Sequence, residues 1–175
     1  MSEITTVDFK LHPAQLEIFN SPARFTVTAA GRRFGKSILA GTRASVKALD
    51  PANVMRKPVL IIAPIATQAK AIYWQWLLEK LNPFITNFQS NEGNIFLNNG
   101  VTLGVKGADR PDTLRGLGPY HVELDEFADM KPETWDAILR PALVDAKGTA
   151  GFIGSPKGRN HFFDIFKHAD EGVNE

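Results

Sequence analysis

The segment Ala30-Gly31-Arg32-Arg33-Phe34-Gly35-Lys36-Ser37 has the residue types and spacing of a phosphate-binding loop ending in Gly-Lys-Ser. Such a loop turns sharply, so that successive backbone N–H groups point at phosphate oxygens. Gly35 lets the backbone approach closely. Lys36 is placed to reach the β- and γ-phosphates as a point charge. The Ser37 hydroxyl is placed to ligate Mg²⁺, and the helix that follows presents its positive N-terminus to the phosphates. The pattern departs from the usual one at its first glycine, which is Ala30 here, with Gly31 directly after it. The adjacent arginines Arg32 and Arg33 leave two readings open. Both face solvent, or one points at the γ-phosphate and stabilises transition-state charge, as an arginine finger supplied in cis does.

A second group of reactive residues closes the run Tyr120-His121-Val122-Glu123-Leu124-Asp125-Glu126. An aspartate at the carboxyl end of a strand can hold Mg²⁺ opposite Ser37. A glutamate beside it can polarise an attacking water as general base. The pair therefore reads as Asp125 for the metal and Glu126 for hydrolysis. His121 and Glu123 interrupt what is normally an all-apolar central strand. One face of this strand is then polar-lined, or the strand lies near the sheet's edge, and His121 reads as locally hydrogen-bonded rather than catalytic.

Charge follows the same division. The net charge of +1 conceals a balance of +5 up to Leu60 and −4 beyond it. Six acids, Glu123, Asp125, Glu126, Asp129, Glu133 and Asp136, lie within fourteen residues with only Lys131 among them. They read either as a solvated acidic helix or as an acidic metal site that meets the cationic loop. With 175 residues, 43% of them hydrophobic and 22% charged, the chain fits one globular domain. The absence of cysteine excludes a disulfide framework, a zinc ribbon and a thiol nucleophile. No apolar run reaches the roughly 18 residues of a membrane span and no signal-peptide h-region opens the chain, so a soluble intracellular protein is expected.

Alternating elements must position these groups. Residues 24–29 read as a strand that runs into the loop, and residues 36–49 as the helix after it. Residues 59–63 are a continuous apolar run, as in a strand buried on both faces and ended by Pro64. A helix is expected over 67–81, with its apolar positions at Ile72, Trp76 and Leu77. Asn98-Asn99-Gly100 between residues 95–97 and 101–103 predicts a β-hairpin with two residues at positive φ. A strand over 120–124, a helix over 132–143, a short strand over 151–154 and a closing helix over 160–169 complete the series. This is an α/β fold of the P-loop NTPase type, a mostly parallel sheet flanked by helices, with a β-hairpin. Ligands of such a sheet bind beyond the carboxyl ends of its strands.

Taken together, Gly31 to Ser37, Val122 to Glu126 and the turn Gly154-Ser155-Pro156-Lys157-Gly158 resemble the ATPase domain of the large terminase subunit of tailed bacteriophages, from His12 to about Phe166. The resemblance implies ATP and Mg²⁺ as cofactors. It implies that Arg32 is the family's loop arginine and that Ser155 belongs to a motif coupling hydrolysis to subdomain movement. Gln15 corresponds to an upstream glutamine that recognises adenine, a task suited to an amide that donates and accepts at once. On the residues alone, Gln15 reads as a surface glutamine on an N-terminal helix. Arg115, in a loop with Asp109, Arg110 and Asp112, corresponds to an arginine that reaches a neighbouring subunit's ATP, against the plain alternative of a loop salt bridge.

The implied activity is ATP hydrolysis that powers translocation of double-stranded viral DNA into a procapsid, in the host cell cytoplasm. The implied partners are DNA, held by its backbone without sequence preference, a portal protein, a small terminase subunit and further copies in a ring. Lys106, Arg110, Arg115, Lys157 and Arg159 are the candidate DNA contacts. Residues 1–175 are expected to be a single ATPase-domain fragment without the family's nuclease domain or lid, and so without nuclease activity. Two alternatives stand beside this reading. Ile61 to Ala63, Pro64 and Thr67-Gln68-Ala69 resemble part of a helicase-like translocase, and a non-hydrolysing nucleotide-binding or oligomerisation module would use the same loop.

Overall fold

The computed structural model describes residues 6–144 and 147–170. Seven strands form one sheet: β1 (Phe25–Ala29), β2 (Val59–Ala63), β3 (Ile85–Gln89), β4 (Asn94–Leu97), β5 (Thr102–Gly107), β6 (His121–Asp125) and β7 (Thr149–Gly154). Their spatial order is β1-β7-β6-β2-β5-β4-β3. The first five in that order pair in parallel, and β4 and β3 add antiparallel. The polar strand β6 is therefore interior, between β7 and β2, and the edge position open to it on sequence grounds is excluded. Every residue of β6 is buried. Strand β3 has no counterpart among the elements expected from the sequence. Four of its five residues are exposed, so it carries no apolar alternation to mark it.

Alternation along β2 divides the core. Val59, Ile61 and Ala63 face a cluster under α2 (Lys36–Ala48) and α3 (Ala66–Leu81), which supply Ala40, Ala44, Ala48, Ala69, Tyr73, Leu77 and Leu81. Leu60 and Ile62 face the opposite cluster with Val122, Leu124, Phe127, Leu139, Phe152 and Phe162. That second layer is a π-helical turn, Thr134–Leu139, continued by α4 (Arg140–Val144), together with α5 (His161–Asp170). The wide turn has a local cause. Pro141 has no N–H to donate, so the regular i→i−4 pattern fails at the junction. Each large aliphatic side chain fully buried in these layers contributes roughly 1.5–3 kcal/mol.

Two expectations change. The buried stripe of α3 is Ala69, Tyr73, Leu77 and Leu81, at helical spacing, whereas Ile72 is 40% exposed. The hairpin forms between β4 and β5, but Gly100 alone takes a positive φ (83°) there, donating to Leu97 O at 2.9 Å. Asn99 instead uses its side chain, donating to Ala48 O at 2.8 Å and accepting from Val101 N at 3.0 Å. A short helix α1 (Pro13–Phe19) precedes β1.

Candidate functional site

The loop from Ala30 to Ser37 joins the end of β1 to α2, and its shape depends on two left-handed residues. Arg33 has φ 68° and Gly35 φ 83°. Glycine suits the second position for a further reason: a Cβ there would lie 2.5 Å from Gln15 Nε2. The Lys36 ammonium curls over the loop, donating to Ala30 O at 2.9 Å, Gly31 O at 3.1 Å and Ser155 Oγ at 3.1 Å. Arg32, Arg33, Gly35, Lys36 and Ser37 line a cavity of about 500 Å³ with Glu126, Asp129, Ser155 and Lys157. Both loop arginines thus border the cavity. Four cations around one opening, Arg32, Arg33, Lys36 and Lys157, suit a polyanionic ligand such as a string of phosphates.

The carboxylate of Asp125 ends β6. It is 3% exposed and accepts a 2.6 Å hydrogen bond from the Tyr73 hydroxyl of α3. The Ser37 hydroxyl also acts on this phenol, favouring its ionised form against the burial that opposes it. Burial raises the Asp125 carboxyl above its ordinary pKa, aided by the nearby charge of Glu126 and partly opposed by Tyr73 and Lys36. Burial, then the charge of Asp125, raises the Tyr73 hydroxyl well above its usual value. A hydroxyl and a carboxylate are hard oxygen donors, and Mg²⁺ commonly takes only one or two protein oxygens and completes its shell with phosphate and water. Among the described residues no group of three or more His, Asp or Glu side chains forms a self-sufficient metal cage. The donor set fits Mg²⁺ held jointly with a phosphate ligand.

Glu126 has left the strand. Its backbone is left-handed (φ 50°, ψ 47°), a conformation that costs a non-glycine residue about 1 kcal/mol or more and is found at functional sites. The turn aims its carboxylate, 26% exposed, into the cavity. Ser155 N–H and Oγ both approach it at 3.4 Å, and Lys157 Nζ lies 3.8 Å away. Ser155 follows β7, the strand between β1 and β6, and therefore touches Lys36 on one side and Glu126 on the other. Lys157 forms an ion pair with Asp129, which raises the lysine's pKa.

Deeper along β6 the same strand carries different chemistry. Glu123 is fully buried and accepts from Arg43 Nε at 2.7 Å and Nη2 at 2.6 Å, a two-pronged contact from α2. Its Oε1 also meets His121 Nε2 at 2.7 Å, and His121 Nδ1 meets Thr149 Oγ1 at 2.7 Å. Arg43 Nη1 donates to Thr26 at 2.8 Å. Burial alone would raise the Glu123 carboxyl, but the charge of Arg43, with His121, reverses the shift and holds it below the ordinary value. This is the polar-lined face, with His121 bonded locally.

Other expected residues lie differently. Gln15 is 3% exposed, not a surface residue. Its amide donates to Gly35 O at 2.9 Å and Phe34 O at 3.3 Å, and its oxygen accepts from His12 N at 2.9 Å, so it braces the loop. Phe34 turns its ring edge-on to His12, with centroids 5.0 Å apart, rather than into the cavity. Gly31 contributes a carbonyl to Lys36. Arg115 is not brought to this cavity. Its exposed side chain bonds Asp112 at 3.3 Å and borders a separate hollow with Ile138 and Pro141. Of the DNA candidates, Lys157 belongs to the phosphate cavity, and Lys106 is tied to Glu92 O and Asn94 Oδ1, each at 2.6 Å. Tyr73 went unread in the sequence, since a lone tyrosine on a helix carries no motif. Asp129 and Lys157 were visible only as a member of an acidic run and a turn lysine.

No family model matches the chain. A large terminase subunit of Thermus virus P23-45 is 31% identical over 182 residues, covering 90% of this chain and 36% of that protein. The large terminase ATPase domain of Thermus phage P74-26 superposes with a TM-score of 0.78 at 30% identity, covering 90% of this chain and 69% of that one. The large terminase of another thermophilic bacteriophage, solved in complex with ADP, superposes with a TM-score of 0.72 at 18% identity over 91% of this chain and 42% of that one. The chain spans about a third of the length of the curated relatives it matches.

Proposed function

The chain belongs to the large terminase family, and from that membership we propose that it binds ATP with Mg²⁺ and hydrolyses it to drive double-stranded DNA into a viral procapsid. The observation that carries the proposal is the chain of contacts Lys36–Ser155–Glu126 across one cavity that Ser37 also lines. A scaffold that only bound nucleotide would have no use for a strained, half-open carboxylate facing the phosphate loop. The thermophilic phage terminase solved with ADP adds support for the ligand.

The loop N–H groups and the N-terminus of α2 receive the phosphates. Lys36 leaves the loop carbonyls for the β- and γ-phosphates, and Arg32 and Arg33 neutralise charge at the cavity's rim. Mg²⁺, held by Ser37 and Asp125, would offset the charge of the phosphate oxygens. Glu126 takes a proton from the attacking water, a role that contributes about 10²–10⁴-fold. Ser155, hydrogen-bonded to both Lys36 and Glu126, is placed to register loss of the γ-phosphate at the end of β7, and so to couple the event to movement. In an assembled ring Arg115 would act on a neighbour's nucleotide. A portal protein, a small terminase subunit and backbone-held DNA complete the machine, in the cytoplasm of the infected host.

A steady-state phosphate-release assay tests the reading. The wild type should release phosphate, and Glu126→Gln should bind ATP unchanged while release collapses. Equal release by the two proteins would remove Glu126 from the mechanism.

A further inference from the structure

We propose that Tyr73 is a positioning residue for the metal: its hydroxyl, bonded to Asp125, sets that carboxylate in place before metal and nucleotide arrive. The proposal rests on the ATP–Mg²⁺ reading of the cavity. Three observations carry it. Tyr73 is 1% exposed, so its hydroxyl has no water to satisfy it and must find protein partners. The partner it finds is Asp125, at 2.6 Å. Asp125 ends β6, whereas Tyr73 stands on a different unit of the fold, α3.

The geometry has a consequence for the carboxylate ligand. A buried carboxylate without partners would turn toward whatever donor it could reach, Lys36 above all. The phenol fixes one oxygen, Oδ2, and with it the plane of the carboxylate. Hydrogen-bonding groups behind metal ligands typically change metal affinity 10–100-fold when removed, because they orient the ligand and fix its charge. The ring packs in the core with Ala69 and Leu77 and is itself immobilised. The side chain therefore has two separable parts, a ring that fills the core and a hydroxyl that serves the site, and Tyr73→Phe removes only the second.

The test measures metal binding directly. Mn²⁺ replaces Mg²⁺ as the probe, its free concentration is read by electron paramagnetic resonance, and the protein is loaded with ADP. Tyr73→Phe should weaken Mn²⁺ binding about tenfold, while ADP affinity in chelator stays close to wild type and loss of the bond to the buried Asp125 lowers the melting temperature modestly. Tyr73→Leu should lose the same metal affinity and, with the ring's packing gone as well, melt lower still. If Tyr73→Phe binds Mn²⁺ like the wild type and only Tyr73→Leu is impaired, the residue is core filler and the proposal falls. If the wild type itself takes up no Mn²⁺ with ADP, the nucleotide–metal reading falls and Tyr73 with it. A measurement on the unaltered side chain stands independently of variant folding. The protein has two tyrosines, Tyr73 and Tyr120. With carbon-13 at the tyrosine ζ position, Tyr120→Phe identifies the Tyr73 signal. That signal should move when Mg²⁺ is added to the ADP-loaded protein, and a signal that stays fixed would overturn the proposal.

Discussion

Glu123 and Glu126 stand three residues apart, yet the protein handles them in opposite ways. Glu123 is sealed under α2, with both carboxylate oxygens bonded and its charge matched by Arg43. Glu126 is held by two long contacts from Ser155 and a distant lysine, on a backbone forced left-handed. The first arrangement leaves nothing for a ligand to do. The second leaves an acceptor with spare capacity facing a cation-lined cavity. Satisfaction of hydrogen bonds, more than charge or position in the acidic run, separates a carboxylate that holds the fold from one that can take a proton. Asp125 lies between the two in character, buried like Glu123 but bonded through a neutral phenol rather than a cation.

Exchanging each glutamate for its amide breaks the comparison most directly. Glu126→Gln should lower phosphate release by about 10²–10⁴-fold with little change in melting temperature, since few contacts depend on it. Glu123→Gln should do the reverse, melting several degrees lower while the folded fraction hydrolyses ATP normally. Phosphate release and calorimetry on the same two proteins decide the matter. If Glu123→Gln lost hydrolysis without losing stability, the division between the two glutamates would be wrong.

The sealed network should show the next largest effect. Arg43→Met strands a buried carboxylate, a change that typically costs about 3–5 kcal/mol, or roughly 10 °C in a domain of this size. Adding Glu123→Gln to that variant removes the stranded charge and should recover part of the loss. Gly151→Ala attacks the same place by sterics, since its Cβ would fall 2.0 Å from Arg43 Nη2 and 2.5 Å from Glu123 Oε2. Urea unfolding of these variants measures the costs, and strict additivity of Arg43→Met and Glu123→Gln would show the two side chains to be uncoupled.

Much of the cavity was legible because its residues announce themselves locally. The loop from Ala30 to Ser37 has fixed spacing, and Asp125-Glu126 ends a recognisable strand. What escaped depends on contacts between distant segments. Nothing near Glu123 in sequence indicates Arg43, eighty residues away on the helix that follows the loop. Tyr73 escaped because periodicity over residues 67–81 fits more than one stripe, and packing alone selects Ala69, Tyr73, Leu77 and Leu81 over Ile72. Strand β3 escaped because an exposed edge needs no apolar pattern, and the turn Thr134–Leu139 because helix periodicity does not distinguish a wide turn from a regular one. Gln15 shows the converse. A glutamine that could serve an adenine is, in this structure, committed to the carbonyls of Phe34 and Gly35.

The intermediate position of Asp125 predicts a smaller effect of opposite sign. Its folded pKa is raised, so the folded protein binds this proton more readily than the unfolded chain does. Stability therefore falls as the pH rises from the ordinary value of 3.8 through the raised one, and the full cost is present above it. The lowered pKa of Glu123 works the other way: its contribution is complete above the ordinary value of 4.5 and is lost as the pH falls through the folded value. Asp125→Asn should thus stabilise the metal-free protein at pH 7, by about 1 kcal/mol, where Glu123→Gln destabilises it. The advantage of Asp125→Asn should shrink as the pH drops through the raised folded value and be gone below about 3.8. Melting curves across pH would show it, and a variant less stable than wild type at pH 7 would mean that Asp125 is as well satisfied as Glu123.

Arg115 extends the comparison to a charge that is neither sealed nor aimed at the cavity. Its pair with Asp112 joins two exposed side chains three residues apart, and such pairs contribute about 0–1 kcal/mol. Arg115→Ala should leave the melting temperature and the ATP affinity of an isolated subunit unchanged within error. A role across a subunit boundary predicts a defect that exists only on assembly. Mixing Arg115→Ala subunits with Lys36→Ala subunits should then restore some hydrolysis, because each supplies what the other lacks at a shared interface. If Arg115→Ala alone hydrolyses ATP fully in the assembled protein and mixing restores nothing, the arginine is a loop ion pair and no more. Should it weaken ATP binding in the isolated subunit instead, the loop must fold onto its own cavity, which would overturn the separation between this hollow and the phosphate site.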